Sequence, residues 1–389
     1  MTLLPGIPSR SRILFLALLV AITATVAYGA DPHFLVYVGT YTDSDSKGIY
    51  SFEFDPVSGD SSRAGLAVES PNPSFLAVDS SGSYLYAVNE TDVFEGNMTG
   101  GISVFAIDQG NGKLKMLQQV SSIGTGPAHL SLDKSERFLM VANYDGGNVA
   151  VLPIENDGKL GPRTAFVQDS GSSANKERQS APHAHEILAT ADNRFVLVPD
   201  LGTDELLVYR LDPMSGSLTA NKPPFAKVSP GSGPRHFAMA PSGKFLYLVN
   251  ELSSTVDAFS FGASSGQLRK LQSISTLPTG FSGKNTTAEI AVDTAGKFVY
   301  VSNRGDDSIA VFAVAATDGK LTFVERVSTG GKEPRHFTLD PTGKWLLAAN
   351  QNSGTINVFA VDSATGKLTA TSHVIRVPTP VCIVFVPAR

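Results

Sequence analysis

Cysteine is almost missing from this chain. The 389 residues hold one, Cys382, which excludes an internal disulfide and a metal site built from cysteines. Tryptophan occurs once, as Trp345. Charged residues make up only 17% of the chain and nearly cancel, leaving a formal net charge of −5. Two of the 31 basic residues and none of the 36 acidic ones fall in the first thirty positions, so the remainder carries 29 against 36, a net −7. An acidic protein offers no electrostatic case for nucleic acid. A P-loop, a HExxH zinc helix, a dinucleotide-binding glycine pattern and Asp-rich calcium loops are all absent. Any chemistry must come from side chains that the fold gathers from distant positions.

What is plentiful is glycine (36), proline (23) and hydrophobic residues (42%), enough for a large core. Residues 232–251, SGPRHFAMAPSGKFLYLVNE, read as two apolar strands around a PSGK turn. Gly243 lies midway between Arg235 and Glu251. A fold-back at Gly243 therefore brings Arg235, His236 and Glu251 to one edge of the hairpin.

The same hairpin recurs. Phe75, His129, Glu186, His236, Glu289 and His336 each stand fourteen residues before Asn89, Asn143, Asp200, Asn250, Asn303 and Asn350. The midpoints are Gly82, Glu136, Asn193, Gly243, Gly296 and Gly343. Successive strand ends are 54, 57, 50, 53 and 47 residues apart. Each is followed by an alternating strand such as GISVFAI or TINVFAV, a glycine turn and a more polar fourth strand. Four strands per period of about fifty residues is the pattern of a propeller blade. A seventh unit is split between the termini: FLVYVGTYT carries Gly39 at the Asn position, and its inner strand is the last in the chain, PVCIVFVP. The reading is an all-β, seven-bladed β-propeller over roughly 34–389, closed by pairing the C-terminal strand with the N-terminal blade. Cys382 falls at the position equivalent to His236.

The first thirty residues stand apart. Arg10 and Arg12 precede an apolar run over 13–27, and small residues follow. This predicts a signal peptide over 1–30, cleaved around 27–30, and a periplasmic or secreted domain over 31–389 without a membrane span. Two polar stretches, 170–180 and 277–287, read as loops overhanging the face where inner strands begin.

Inner-strand starts and second-strand ends meet on that face, around the axis. The starts supply His129, His183, His185, Glu186, Arg235, His236, Glu289, Arg335 and His336; the ends supply Glu90, Asn143, Tyr144, Glu251, Arg304 and Gln351. Imidazole, with a reference pKa near 6.5, is suited to general acid–base work, and His185 is the expected group. Glu251 either orients that imidazole or acts as base itself, a role that pairing with Arg235 weakens. Arg235, Arg304 and Arg335 suit bidentate contacts to phosphate or carboxylate. His183, His236, His129, Asn143 and Glu289 are expected to help bind substrate. Trp345, at the start of a second strand, is expected in the core, and Arg137 and Arg194 at turns on the opposite face.

The segments GPRHF, LYLVNE, AEIAVD, VYVSNRG and EPRHFTLD, with YVGTYT near the start, resemble the motifs of the lactonase family of seven-bladed propellers. That family includes propeller-type 6-phosphogluconolactonases and carboxymuconate lactonizing enzymes. The resemblance covers everything after the first thirty residues. It implies an enzyme needing no metal or organic cofactor, acting on a small anionic lactone or carboxylate. It puts the active-site histidine at His185 in PHAHE, the arginines at Arg235 and Arg304, and the glutamate at Glu251. PHAHE also holds His183, so two histidines compete for one role. Three functions fit: a 6-phosphogluconolactonase-like hydrolase of sugar lactones, an intramolecular lyase that forms lactones, or a non-catalytic envelope propeller binding a glycan or protein. A scaffold would show exposed aromatic patches, so a monomeric enzyme is the expectation.

Overall fold

The computed structural model describes residues 33–108 and 110–386, with 1–3 and 6. The expected signal segment lies outside the described residues apart from those four positions. All the strands belong to one compact unit, Pro32–Arg389.

Among the described residues, 28 strands form seven four-stranded antiparallel sheets. The C-terminal strand Pro380–Phe385 pairs with Phe34–Thr40, with Gly39 opposite Cys382. This gives the first sheet its fourth, innermost strand and closes the ring. The protein is the seven-bladed propeller that the periodicity predicts. Blade 1 is the split unit; blades 2 to 7 have inner strands at Leu76–Val78, Pro127–Leu132, Leu188–Ala189, Pro234–Met239, Thr286–Val292 and Pro334–Leu339.

Local chemistry explains the hairpins. All six midpoint residues adopt left-handed φ between 55° and 71°, a conformation that Gly and Asn accept most readily. Asp residues clamp the turns: Asp133 Oδ1 accepts from the backbone N–H groups of Arg137 and Phe138, each at 2.8 Å. Blades are tied to their successors by tyrosines. The buried hydroxyls of Tyr37, Tyr86, Tyr247 and Tyr300 donate to carbonyls of Gly112, Gly158, Gly319 and Gly366 in the next blade. Between blades lie Val, Ile, Leu and Phe side chains, and at the closure half-buried Trp345 donates to Pro56 O at 3.0 Å and meets Phe54 edge-on. Trp345 thus packs blade 7 on blade 1.

The inner strands carry an irregularity that the alternation of side chains does not predict. In blades 3, 5 and 7 the register slips between Pro127 and His129, Pro234 and His236, and Pro334 and His336; in blade 6 it slips between Thr287 and Ile290. In blade 4 pairing is broken between an isolated Ala184–Asp200 bridge and Leu188–Leu197. A bulge sets two consecutive residues against one partner and re-aims both. Here it produces two tiers.

Candidate active site

The lower tier is a ring across the axis: Phe75, His129, Glu186, His236, Glu289, His336 and Cys382, one from each blade. His236 Nδ1 lies 3.0 Å from Glu289 Oε2, and His336 Nε2 approaches the same oxygen at 3.8 Å. His129 Nε2 is 3.8 Å from Glu186 Oε1, its ring 4.1 Å from that of Phe75. Burial pushes the Cys382 thiol up and leaves it inert.

The upper tier consists of the residues just before these; Ala128, His185 and Arg335 among them line a cavity of about 320 Å3, and Arg235 lies beside it against Glu251. The second-strand ends Glu90, Tyr144, Glu251 and Arg304 line the cavity too. Glu251 is the hub. Its Oε1 meets Arg178 Nη2 at 2.8 Å, and its Oε2 meets Arg304 Nη2 at 3.0 Å and Arg235 Nε at 3.2 Å. The Arg235 contact is close but poorly aligned, so that N–H makes no hydrogen bond. Burial opposes the charge on Glu251, but Arg304, Arg235 and Arg178 outweigh it and hold the carboxyl at about 2. Arg235 Nη1 and Arg304 Nη2 also donate to the carbonyls of Ala288 and Thr287. Arg335 donates to the Tyr41 hydroxyl at 2.7 Å, and that hydroxyl donates to Glu90 at 2.9 Å. Burial, then Arg304 and Arg335, pull Arg235 down to about 9, still protonated at neutral pH.

His185 is buried in the cavity wall. Burial first, then Arg235, His236 and Arg335, push its imidazole well below the ordinary 6.5. It is therefore neutral at physiological pH and free to accept a proton. Its Nδ1 is fully buried without a hydrogen-bond partner, so Nε2 is the nitrogen that borders the cavity.

His185, Arg235, Arg304, Arg335 and Glu251 are thus brought together as expected. Glu251 differs in role: its oxygens are taken by guanidiniums, and a carboxylate held at about 2 is a poor base. His183 sits outside the cavity lining, stacked on Tyr144 at 4.4 Å with Nδ1 2.9 Å from Tyr144 O. Of the two histidines in PHAHE, geometry favours His185. His129, His236 and Glu289 belong to the ring below the cavity floor rather than to its lining. Asn143 needs correction. Its buried amide donates to Ser122 O (3.0 Å) and Asn148 Oδ1 (2.8 Å), tying its strand end to the preceding blade. Asn89 does the same through Ser70 and Pro71.

Arg178, Tyr41 and Glu333 went unsingled by sequence reasoning. Arg178 lies in the stretch 170–180, which overhangs the face as expected and is pinned by Gln179 Nε2 to Leu201 O at 2.8 Å. A basic residue in an overhanging loop was the available signal. Residues 262–266, GASSG, have the spacing of a serine-hydrolase elbow. They form a tight turn between Thr255–Gly262 and Gln267–Ser275, not the strand-to-helix corner that exposes a nucleophile.

Glu333 lines the cavity with Glu90 and Glu251, and these three carboxylates face the guanidiniums of Arg178, Arg304 and Arg335 and that of Arg235 behind Glu251, so one positive charge is in excess. Fold and cavity together define a β-propeller enzyme with a charged cavity at one mouth of its axis. The chain belongs to the lactonase family of seven-bladed β-propellers, whose model matches residues 35–385. It is 39% identical over 304 residues to a Bacillus subtilis protein named 6-phosphogluconolactonase, covering 78% of this chain and 84% of the relative. A Formosa agariphila protein of the same name is 34% identical over 311 residues, covering 78% and 86%. The solved structure of the periplasmic gluconolactonase of Pseudomonas aeruginosa superposes with a TM-score of 0.85 at 36% identity, over 92% of this chain and all of that one.

Proposed function

We propose that this chain hydrolyses sugar lactones, with His185 as the base that activates water. The observation that carries the reading is a buried imidazole in the wall of a cavity lined by Arg178, Arg304 and Arg335, with Arg235 against the same Glu251. Water attacks the lactone carbonyl carbon as His185 Nε2 takes one of its protons. Negative charge then develops on the carbonyl oxygen, beside the guanidiniums of Arg235 and Arg304. When the ring C–O bond breaks, His185 returns the proton to the ring oxygen. The product is a hydroxy acid whose carboxylate meets the same arginines. Glu251 orients the arginines and takes no proton.

The names of the relatives support sugar lactones as the substrate class. The arginine-led, apolar leader over 1–30 supports export, giving a periplasmic or secreted enzyme whose mature chain begins between residues 28 and 31. Outside the cytoplasm a phosphorylated lactone is not required, because ring opening itself creates an anion for the guanidiniums. The test is acid release by the purified protein from gluconolactone and from its 6-phosphate. Enzymatic acid release from either, lost in His185→Ala, is expected; no acceleration over buffer with both lactones would overturn the reading.

A further inference from the structure

We propose that His236 and Glu289 form a positioning relay beneath His185, stabilising the imidazolium that exists while His185 holds the proton of the attacking water. The relay rests on His185 being the base. Two buried ring nitrogens carry it: His185 Nδ1 and His236 Nε2 both lack a hydrogen-bond partner, and they do not bond each other in the resting geometry. Their rings are neighbours, with centroids 5.0 Å apart at 75°. The other nitrogen of His236 sits 3.0 Å from Glu289 Oε2. An ionised carboxylate only accepts, so it keeps the His236 proton on Nδ1 and leaves a lone pair on Nε2. An imidazolium at His185 carries a proton on Nδ1 and needs such an acceptor. No proton has to cross between the rings. His185 keeps its Nδ1 proton throughout and returns only the one on Nε2.

Packing alone does not call for these groups. Phe75 and Cys382 occupy the same ring position in their own blades, so apolar side chains fit there. Buried unpaired polar groups are costly and call for an explanation. Other groups also face this pair. From above come the guanidiniums of Arg235, Arg304 and Arg335, which disfavour a proton on either imidazole, and the Glu251 carboxylate and Tyr144 phenol. Glu186, in the neighbouring blade, accepts from the N–H of Phe237 at 2.7 Å, and His129 and His336 lie further round the ring. Burial raises Glu289 above the ordinary carboxylate range, and His336 and Arg235 offset only part of that rise; the relay requires its ionised form.

The experiment uses the full chain with gluconolactone as probe. Glu289→Gln should lower kcat about ten-fold or more with KM unchanged, the signature of an interaction made only in the transition state. It should also move the acid limb of kcat/KM to lower pH, since removing the negative charge makes His185 a weaker base. His236→Phe, which copies Phe75, should give the same kcat loss, and the double variant should be little worse than either single. His336→Gln, which touches Glu289 but not His185, should leave the limb in place. Wild-type kcat and an unmoved limb in both Glu289→Gln and His236→Phe would reduce the ring to packing and overturn the relay. A rise in KM at constant kcat would make these residues substrate contacts and overturn it equally. If His185→Ala itself keeps its activity, the base assignment fails instead.

Discussion

The two mouths of the propeller axis differ in opposite senses for size and for charge. The mouth on the turn side is the larger, about 910 Å3, walled by residues such as Leu130, Leu132, Leu188 and Met239 and rimmed by the hairpin turns. The mouth on the strand-end side is about 320 Å3 and holds His185, Arg178, Arg304, Arg335 and Glu251. The contrast follows from how a blade is built. On one side, the inner strands of blades 3, 5, 6 and 7 begin with a bulge beside the end of the neighbouring strand, so that two positions in such a blade converge on the axis. On the other, the same strands are joined by tight turns whose Asp, Asn and Gly are committed to the backbone. Convergent charge, not volume, marks the working end.

The harshest way to break the comparison is to remove the strand that serves both mouths. Deleting residues 380–389 takes the inner strand from blade 1, strips partners from Val36–Thr40 and should abolish cooperative thermal unfolding near the wild-type temperature. Retained stability would contradict the closed ring.

Next comes His185→Ala, expected to cut kcat by about 10²- to 10⁴-fold, the usual range for a lost general base. In the wild type, burial and the neighbouring arginines depress the His185 pKa. The base form therefore persists as pH falls through 6.5, and kcat/KM should decline only at more acidic pH. A limb at or above 6.5 would mean that the imidazole is more exposed to water than its setting implies.

A smaller effect should come from Arg178→Ala and Arg335→Ala. These remove cavity-wall cations, so KM should rise about ten-fold while kcat changes little, and less for substrates without an acidic group. An equal loss in kcat would put these arginines at the reacting carbonyl.

Much of this was legible in the sequence because a propeller repeats itself. The fourteen-residue offset from strand start to strand end located six members of the axial ring, and the split-blade reading located Cys382. The same register brought Arg235, Arg304 and Glu251 to one edge. Arg178 was not legible in that way, since residues 170–180 lie outside the period. Asn143 misled because an Asn at a strand end looks the same whether it reaches for a ligand or for the neighbouring blade's carbonyl. The separation into two tiers was hidden too. A bulge changes which of two adjacent residues faces the cavity, and alternation of side chains carries no mark of it.

The central claim is that lactone chemistry belongs to the strand-end mouth, and paired arginines test it most directly. Arg235 lies buried against Glu251, while Arg194 sits exposed at a hairpin turn on the other side, bound to Asp192 at 2.7 Å. Lactone hydrolysis by Arg235→Ala and Arg194→Ala should be measured side by side, with circular dichroism to show that both fold. The account predicts at least a ten-fold loss of kcat/KM for Arg235→Ala and wild-type kinetics for Arg194→Ala. Equal losses in two folded variants would contradict it.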